Sequence, residues 1–216
     1  MRSGDTGNWL RVDPVTPDPV AIRSAVTLLK QGGVITFPTS GLYGLGADAL
    51  SERAVHRVFA IKRRPADKPM LVLLSSTGEM DRVVRRVPDY ARPLLTLWPG
   101  GLTLIFEAAE VVPPVLTGGT GKIGVRLPRH PVAKALTVGF GGPITGTSAN
   151  ISGQAAAASA AEIAPEISRQ VDLTLDAGGL SGGPGSTVVD LTVWPIRIVR
   201  EGAVPMATIY HLLRQT

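Results

Sequence analysis

The chain contains no cysteine, so neither a disulfide nor a thiolate metal site is available to it. Aromatic residues make up only 5% of it, too few for the interleaved stacking surface that grips single-stranded nucleic acid. Three histidines occur, His56, His130 and His211, none at a metal-ligand spacing from another, and they read as structural or solvated. No apolar run approaches the ~20 residues needed to cross a bilayer. The first eight residues are polar and lack the apolar centre of a signal peptide. A membrane location is therefore not expected, and the cytoplasm is the simplest compartment. Acidic residues are the scarcer charge, 17 against 22 basic ones, which leaves a net charge of +5 and a pI near 10.0. That balance suits an anionic partner such as a nucleotide, a phosphate or a nucleic acid. The competing reading is a modest arginine excess that only keeps the surface soluble.

What is present is a chain of 216 residues, 44% hydrophobic, with 25 glycines and 18 prolines. That is enough for one large core, and the mean hydropathy of +0.21 argues against wholesale disorder. Residues 1–17 read as a loose lead-in and residues 18–216 as one domain, since no repeat or linker separates two cores. Asp18-Pro19 reads as an N-cap with proline at the first helical position, ahead of apolar residues at helical spacing that stop at Gly32-Gly33. Ser51 caps a second helix whose stripe Val55, Val58, Phe59 continues into Lys62. Short apolar runs at 34–37, 70–74, 102–106 and 123–127 read as buried strands, with further strands at 171–176, 186–191 and 196–200. Residues 77–97 read as helical with breaks near Pro88 and Pro93. A helix is also expected after 154, disturbed at Pro165. Interleaved helices and strands, several strands being sequence neighbours, predict an α/β domain: a twisted mixed parallel and antiparallel sheet flanked by helices.

The densest polar segment is Pro143-Ile-Thr-Gly-Thr-Ser-Ala-Asn-Ile-Ser-Gly153. Thr145, Thr147, Ser148 and Asn150 fall within six residues there. The segment reads either as an ordinary strand-to-helix turn or as a wall that a ligand approaches closely. Lys62-Arg-Arg-Pro-Ala-Asp-Lys68 reads either as cations at a helix C-terminus or as a phosphate clamp. Arg126 lies inside an apolar strand, where its charge calls for either an ion pair or an anionic ligand. These stretches, with the loop after Phe37 and the pair Ser186 and Arg200, all sit near strand ends, where open α/β sheets gather ligands. Cations and hydroxyls predominate. No serine–histidine pair, close carboxylate pair or metal cluster accompanies them, so the set reads as one that binds anions and aligns reactants, with no residue assigned as nucleophile, acid or base.

The order of several motifs resembles the YrdC-like threonylcarbamoyl-AMP synthases over about residues 20–205. They are Phe37-Pro-Thr-x-x-x-Tyr-Gly-Leu-Gly46, Lys62-Arg-Arg-Pro65 with Lys68-Pro-Met70, Trp98-Pro-Gly-x-Leu-Thr-Leu104, Val125-Arg-Leu-Pro128, Thr147-Ser-Ala-Asn150 with Ser152-Gly153, Gly185-Ser-Thr-Val-Val-Asp190 and Val199-Arg-Glu-Gly202. The resemblance implies a YrdC-like fold with a basic concave cleft. It implies a nucleotidyltransferase that joins L-threonine, bicarbonate and ATP into threonylcarbamoyl-AMP and pyrophosphate, for threonylcarbamoyl-adenosine in tRNA. It implies ATP contacts from Lys62, Arg64, Lys68, Ser148, Asn150 and Arg200, and Lys122, where family members often have a threonine, is expected to add a phosphate contact. It implies threonine contacts from Arg126, Thr39, Tyr43, Thr147 and Ser186. Mg2+ on the phosphates is expected, without a protein cage. Direct RNA or tRNA contact and downstream threonylcarbamoyl-transfer proteins are further expected partners. The family usually carries an acidic residue and a threonine where this chain has Ser40 and Gly41. Two other readings compete: a non-catalytic RNA-binding module, and a carbamoyl-adenylate enzyme with a different acceptor. The further C-terminal domain of longer relatives is not expected here.

Overall fold

The structure, a computed structural model, describes residues 9–214. In chain order the strands are β1 Trp9–Arg11, β2 Ile35–Pro38, β3 Tyr43–Gly46, β4 Val72–Leu73, β5 Leu102–Glu107, β6 Lys122–Arg126, β7 Ile144–Thr145, β8 Thr147–Ser148, β9 Leu173–Asp176, β10 Thr187–Asp190 and β11 Arg197–Arg200. The helices are α1 Pro19–Lys30, α2 Glu52–Lys62, α3 Arg92–Leu95, α4 Pro114–Thr117, α5 Pro131–Phe140, α6 Pro165–Ser168 and α7 Met206–Leu213. The fold class is the expected α/β arrangement with parallel and antiparallel pairs, but the strands form two sheets. Their orders are β1-β9-β2-β3-β8 and β11-β10-β5-β6-β4-β7.

The local signals act as their chemistry dictates. The Asp18 carboxylate accepts from the Val20 amide at 2.7 Å and so satisfies one of the free N–H groups at the start of α1. The face carrying Ile22, Ala25, Val26 and Leu29 is buried in one core with Ile35, Phe37 and Leu136. Ser51 caps α2 through the Ala54 amide, and Val55, Val58 and Phe59 enter the second, larger core.

Three expectations change. Residues 9–12 are not part of a loose lead-in: β1 runs parallel to β9, with Leu10 opposite Leu175, and Val12 is buried. The part of that lead-in before Trp9 lies outside the described residues. Residues 77–97, expected as a helix broken near Pro88 and Pro93, are broken there but hold less α-helix than expected. Two 3-10 turns at Thr77–Arg82 and Asp89–Ala91 precede the single turn of α3, because Pro88 and Pro93 each remove an amide donor. Pro165 starts α6 instead of disturbing a helix, since the first helical turn does not need its N–H.

The segment 143–153 joins the two sheets. Ile144 and Thr145 pair with β4 in the six-stranded sheet, Gly146 intervenes, and Thr147 and Ser148 pair with β3 in the five-stranded sheet. A Cβ at Gly146 would lie 2.6 Å from Leu71 Cδ1 and 2.8 Å from Leu73 Cγ, so any side chain at the crossing would push both leucines aside. The Thr145 hydroxyl is fully buried and accepts from the Ala47 amide at 2.9 Å, which makes it part of the seam and not of a ligand surface.

Candidate functional site

Two clusters of site residues form where β3, β6, β8, β10 and β11 end. The first surrounds Lys62, the last residue of α2, which is 2% exposed. Its ammonium donates to the backbone oxygen of Ser148, to that of Asn150 at 2.7 Å and to Asn150 Oδ1 at 3.5 Å. The Asn150 amide donates onward to the carbonyls of Ile151 and Gln154. Lys62 thus stands behind the 147–150 loop and fixes its main chain from within. Burial, and secondarily the nearby charge of Arg64, push its pKa down to about 7. Arg64 donates to the carbonyls of Lys68 at 3.1 Å and Pro69 at 2.6 Å, closing the 64–69 turn into a fixed loop. Lys68 is exposed on that turn.

The second cluster surrounds Arg126 at the end of β6. Its Nε donates to the Gly100 carbonyl at 2.8 Å and its Nη2 to Ser40 Oγ at 3.0 Å. Arg200, at the end of β11, donates to the Ser186 carbonyl at 2.8 and 3.2 Å. The Ser186 hydroxyl is within 3.4 Å of Arg200 Nη2 and shares a 2.8 Å hydrogen bond with Thr103. Burial first, and the charge of Arg200 second, push Arg126 down to about 10. Every acceptor around both guanidinium groups is neutral. Ion pairs in this structure hold Arg57, Arg82, Arg92, Lys122 and Arg197. Among the described residues none holds Lys62, Arg64, Lys68, Arg126 or Arg200. Like charges gathered without a carboxylate carry a net cost unless an anion joins them. The arrangement is complementary to a molecule with several negative groups.

The remaining expected residues divide. Thr147 and Ser148 lie on β8 opposite Leu45 and Gly44. Thr39 turns its hydroxyl back to the Leu42 carbonyl, shaping the first loop. Tyr43 is fully buried, and its phenol donates to the Gly178 carbonyl at 2.8 Å while accepting from the Ala177 amide at 3.0 Å. Burial pushes that phenol up to about 12. Its role is to hold the 176–178 turn, so it does not present its hydroxyl to a ligand. Lys122 leaves the set altogether. It begins β6, at the opposite end from Arg126, and its ammonium is paired at 3.1 Å with Asp190, which is 1% exposed.

Residues not anticipated as site members are Ser40, Thr103 and the carbonyl of Gly100. Ser40 could have been found from its place beside Thr39 in a loop between two buried strands. Thr103 is a polar residue inside the apolar run of β5, as Arg126 is inside β6. The charged groups around Arg126 and the 147–150 loop include no cluster of three His, Cys, Asp or Glu residues suited to a metal among the described residues. The hollow bounded by Trp9, Leu10, Ser24, Leu28 and Leu173 holds none of the site residues.

The Sua5/YciO/YrdC family model, described as Telomere recombination, matches residues 27–202. The chain is 40% identical over 193 residues to the threonylcarbamoyl-AMP synthase of Pyrococcus abyssi, covering 89% of this chain and 57% of that protein. It is 37% identical over 162 residues to the threonylcarbamoyl-AMP synthase of Pseudoalteromonas translucida, covering 74% of this chain and 87% of that protein. Among solved structures it resembles P. abyssi Sua5 complexed with L-threonine, with TM-score 0.90 and 37% identity over 94% of this chain and 60% of that one. It also resembles E. coli YciO, with TM-score 0.83 and 29% identity over 93% of this chain and 98% of that one.

Proposed function

The chain belongs to the Sua5/YciO/YrdC family, and from that premise we propose that it is an L-threonylcarbamoyladenylate synthase. The single observation that carries the proposal is the gathering of Arg126 and Arg200 with only neutral partners. The first loop, whose Ser40 partners Arg126, leads into β3, which pairs through Gly44 with the 147–150 segment, whose main chain is fixed from behind by Lys62. The relatives named as threonylcarbamoyl-AMP synthases and the relative solved with L-threonine supply the chemistry that such a site would serve.

In this reading the threonine amine attacks bicarbonate to give a carbamate and water. A carbamate oxygen then attacks the α-phosphorus of ATP, the bond to the β-phosphate oxygen breaks, and pyrophosphate leaves. Arg126 holds the threonine carboxylate through a charge-assisted pair. Thr147, Ser186 and Thr39 border that end. Ser148 holds the nucleotide against a small-residue wall whose main chain Asn150 helps to fix, and Arg64, Lys68 and Arg200 neutralise phosphate charge as it shifts in the transition state. Lys62 acts through the loop it fixes. Catalysis is alignment and electrostatics, with no covalent step on the protein.

The donor set does not fit a dedicated magnesium site, since its side chains are cations and hydroxyls. Magnesium enters this reading only as the counter-ion of ATP. Cytoplasmic location, contact with tRNA and transfer of the product to downstream proteins belong to the same proposal. No helix among the described residues is long and apolar enough to cross a membrane. The experiment is mass spectrometry of a reaction of ATP, L-threonine and bicarbonate, with pyrophosphate measured in parallel. Threonylcarbamoyl-AMP formed only with all three substrates is the expected result, and absence of pyrophosphate release with all three present overturns the proposal.

A further inference from the structure

The loop over residues 178–185 is not a free strand connection. It is tied down at three points: Tyr43 to the Gly178 carbonyl, the Leu180 amide to the Ala158 carbonyl at 2.7 Å, and the Gly182 amide to the Gly41 carbonyl at 2.9 Å. The third tie is the informative one. A Cβ placed on Gly41 would collide with the Gly182 carbonyl oxygen and would stand 3.6 Å from Ser181 Oγ. No flexible side chain could move aside there, because the obstructing atom is main chain. The space that a side chain at position 41 would fill is therefore occupied by Ser181 and Gly182.

That space adjoins the second cluster from two sides. Ser40, the neighbour of Gly41, accepts the hydrogen bond of Arg126. At the other end of the same loop, a Cβ on Gly185 would lie 3.3 Å from Arg200 Nη2. The loop spans from the Arg126 partner to the Arg200 partner. It carries one side-chain hydroxyl between them, that of Ser181.

We infer that Gly41 is a specificity-determining position: its missing side chain lets the main chain of Gly182 close onto the first loop, so that Ser181 and Gly182 line the amino-acid end of the site. This inference rests on the reading of the Arg126 end as the amino-acid subsite. The polar groups it supplies, one hydroxyl and one carbonyl oxygen, match a small amino acid that carries a side-chain hydroxyl. Gly182 can take this place because its φ of 71° lies in the left-handed region, which glycine adopts without steric cost.

The test measures amino-acid binding and ATP binding separately by calorimetry, together with the ratio of kcat/KM for threonine to that for 2-aminobutyrate, which lacks the hydroxyl. Gly41→Thr forces Gly182 away. It is expected to weaken threonine binding by about tenfold or more, the scale of a misplaced subsite wall, and to leave ATP binding within about twofold. Ser181→Ala lies on an exposed loop residue and tests the hydroxyl without risk to folding. It is expected to cut the threonine preference about fivefold, the size of one net hydrogen bond. Unchanged threonine affinity in Gly41→Thr, or a loss shared equally by ATP, overturns the inference. So does an unchanged preference in Ser181→Ala. A wild-type protein that forms product yet gives either of these results overturns the inference alone, whereas a wild type with no threonine-dependent product overturns the functional reading and the inference with it.

Discussion

β6 and β11 each carry charge at both ends, with β10 between a charge and a hydroxyl, and the two ends are handled in opposite ways. At one end Lys122, Asp190 and Arg197 meet: the buried carboxylate of Asp190 accepts from both cations at 3.1 Å and from Thr192 at 2.6 and 2.9 Å. Burial alone would raise the Asp190 pKa, but the hydrogen bonds from Thr192 and Lys122 outweigh it and hold the group below its usual value. At the other end Arg126 and Arg200 meet only carbonyls and hydroxyls. The same strands thus present a neutralised pole and an unneutralised one. The neutralised pole is complete as it stands and serves the fold. The unneutralised pole is complete only with an anion, which is the physical distinction between a structural charge and a functional one.

The sharpest way to test this contrast is to remove charge from each pole in turn. Arg126→Met should lower kcat/KM for threonine by about 100-fold or more, as expected for losing a charge-assisted carboxylate contact. Its unfolding free energy should stay within about 1 kcal/mol of the parent, because a repelled cation is removed along with its hydrogen bonds. Asp190→Asn should do the reverse. Urea titration should show a loss of about 2 kcal/mol, with kcat/KM of the folded protein unchanged. The Asp190 contribution should be present above the ordinary carboxylate pKa of 3.8 and be lost as the pH falls through the lower folded-state value, so the two proteins should converge in stability in acid.

Lys62 gives an intermediate case, a buried cation with neutral partners. Its pKa falls from 10.5 to about 7 on folding. Between those values the unfolded chain binds a proton that the folded chain does not, so stability should rise with pH across that window and level off on either side. Lys62→Met should remove this slope, as read from denaturation midpoints measured at several pH values. The smallest effect belongs to Lys122→Ala. It should weaken ATP binding by less than about twofold, because its ammonium belongs to Asp190, and cost about 0.5 kcal/mol of stability as a half-exposed ion pair.

The helices α1 and α2 and most strands were legible because their causes are local: a cap, a proline, a glycine stop, an apolar stripe. The stripe that runs from Val55 through Phe59 to Lys62 correctly placed that ammonium at the core's edge. It did not reveal that the acceptors come from Ser148 and Asn150, since that contact spans 86 residues and more. Arg126 was legible as an anomaly, a charge inside an apolar strand. Lys122 looked equally suitable, and only its pairing with Asp190, 68 residues away, separates it from the site. Tyr43 misled for the same reason, because its hydroxyl is taken up by Gly178, 135 residues distant. In the 77–97 stretch the breaks near Pro88 and Pro93 were legible, but the pieces they leave are two 3-10 turns and one short helical turn instead of full helices.

The crossing at Gly146 has a mechanical consequence. Ser148 rides on the five-stranded sheet and Arg126 on the six-stranded one, and the chain passes between them at a residue with no side chain to wedge them. A molecule held by both would lie across that packed seam, so that the fixed seating of one sheet on the other sets the distance between its two ends.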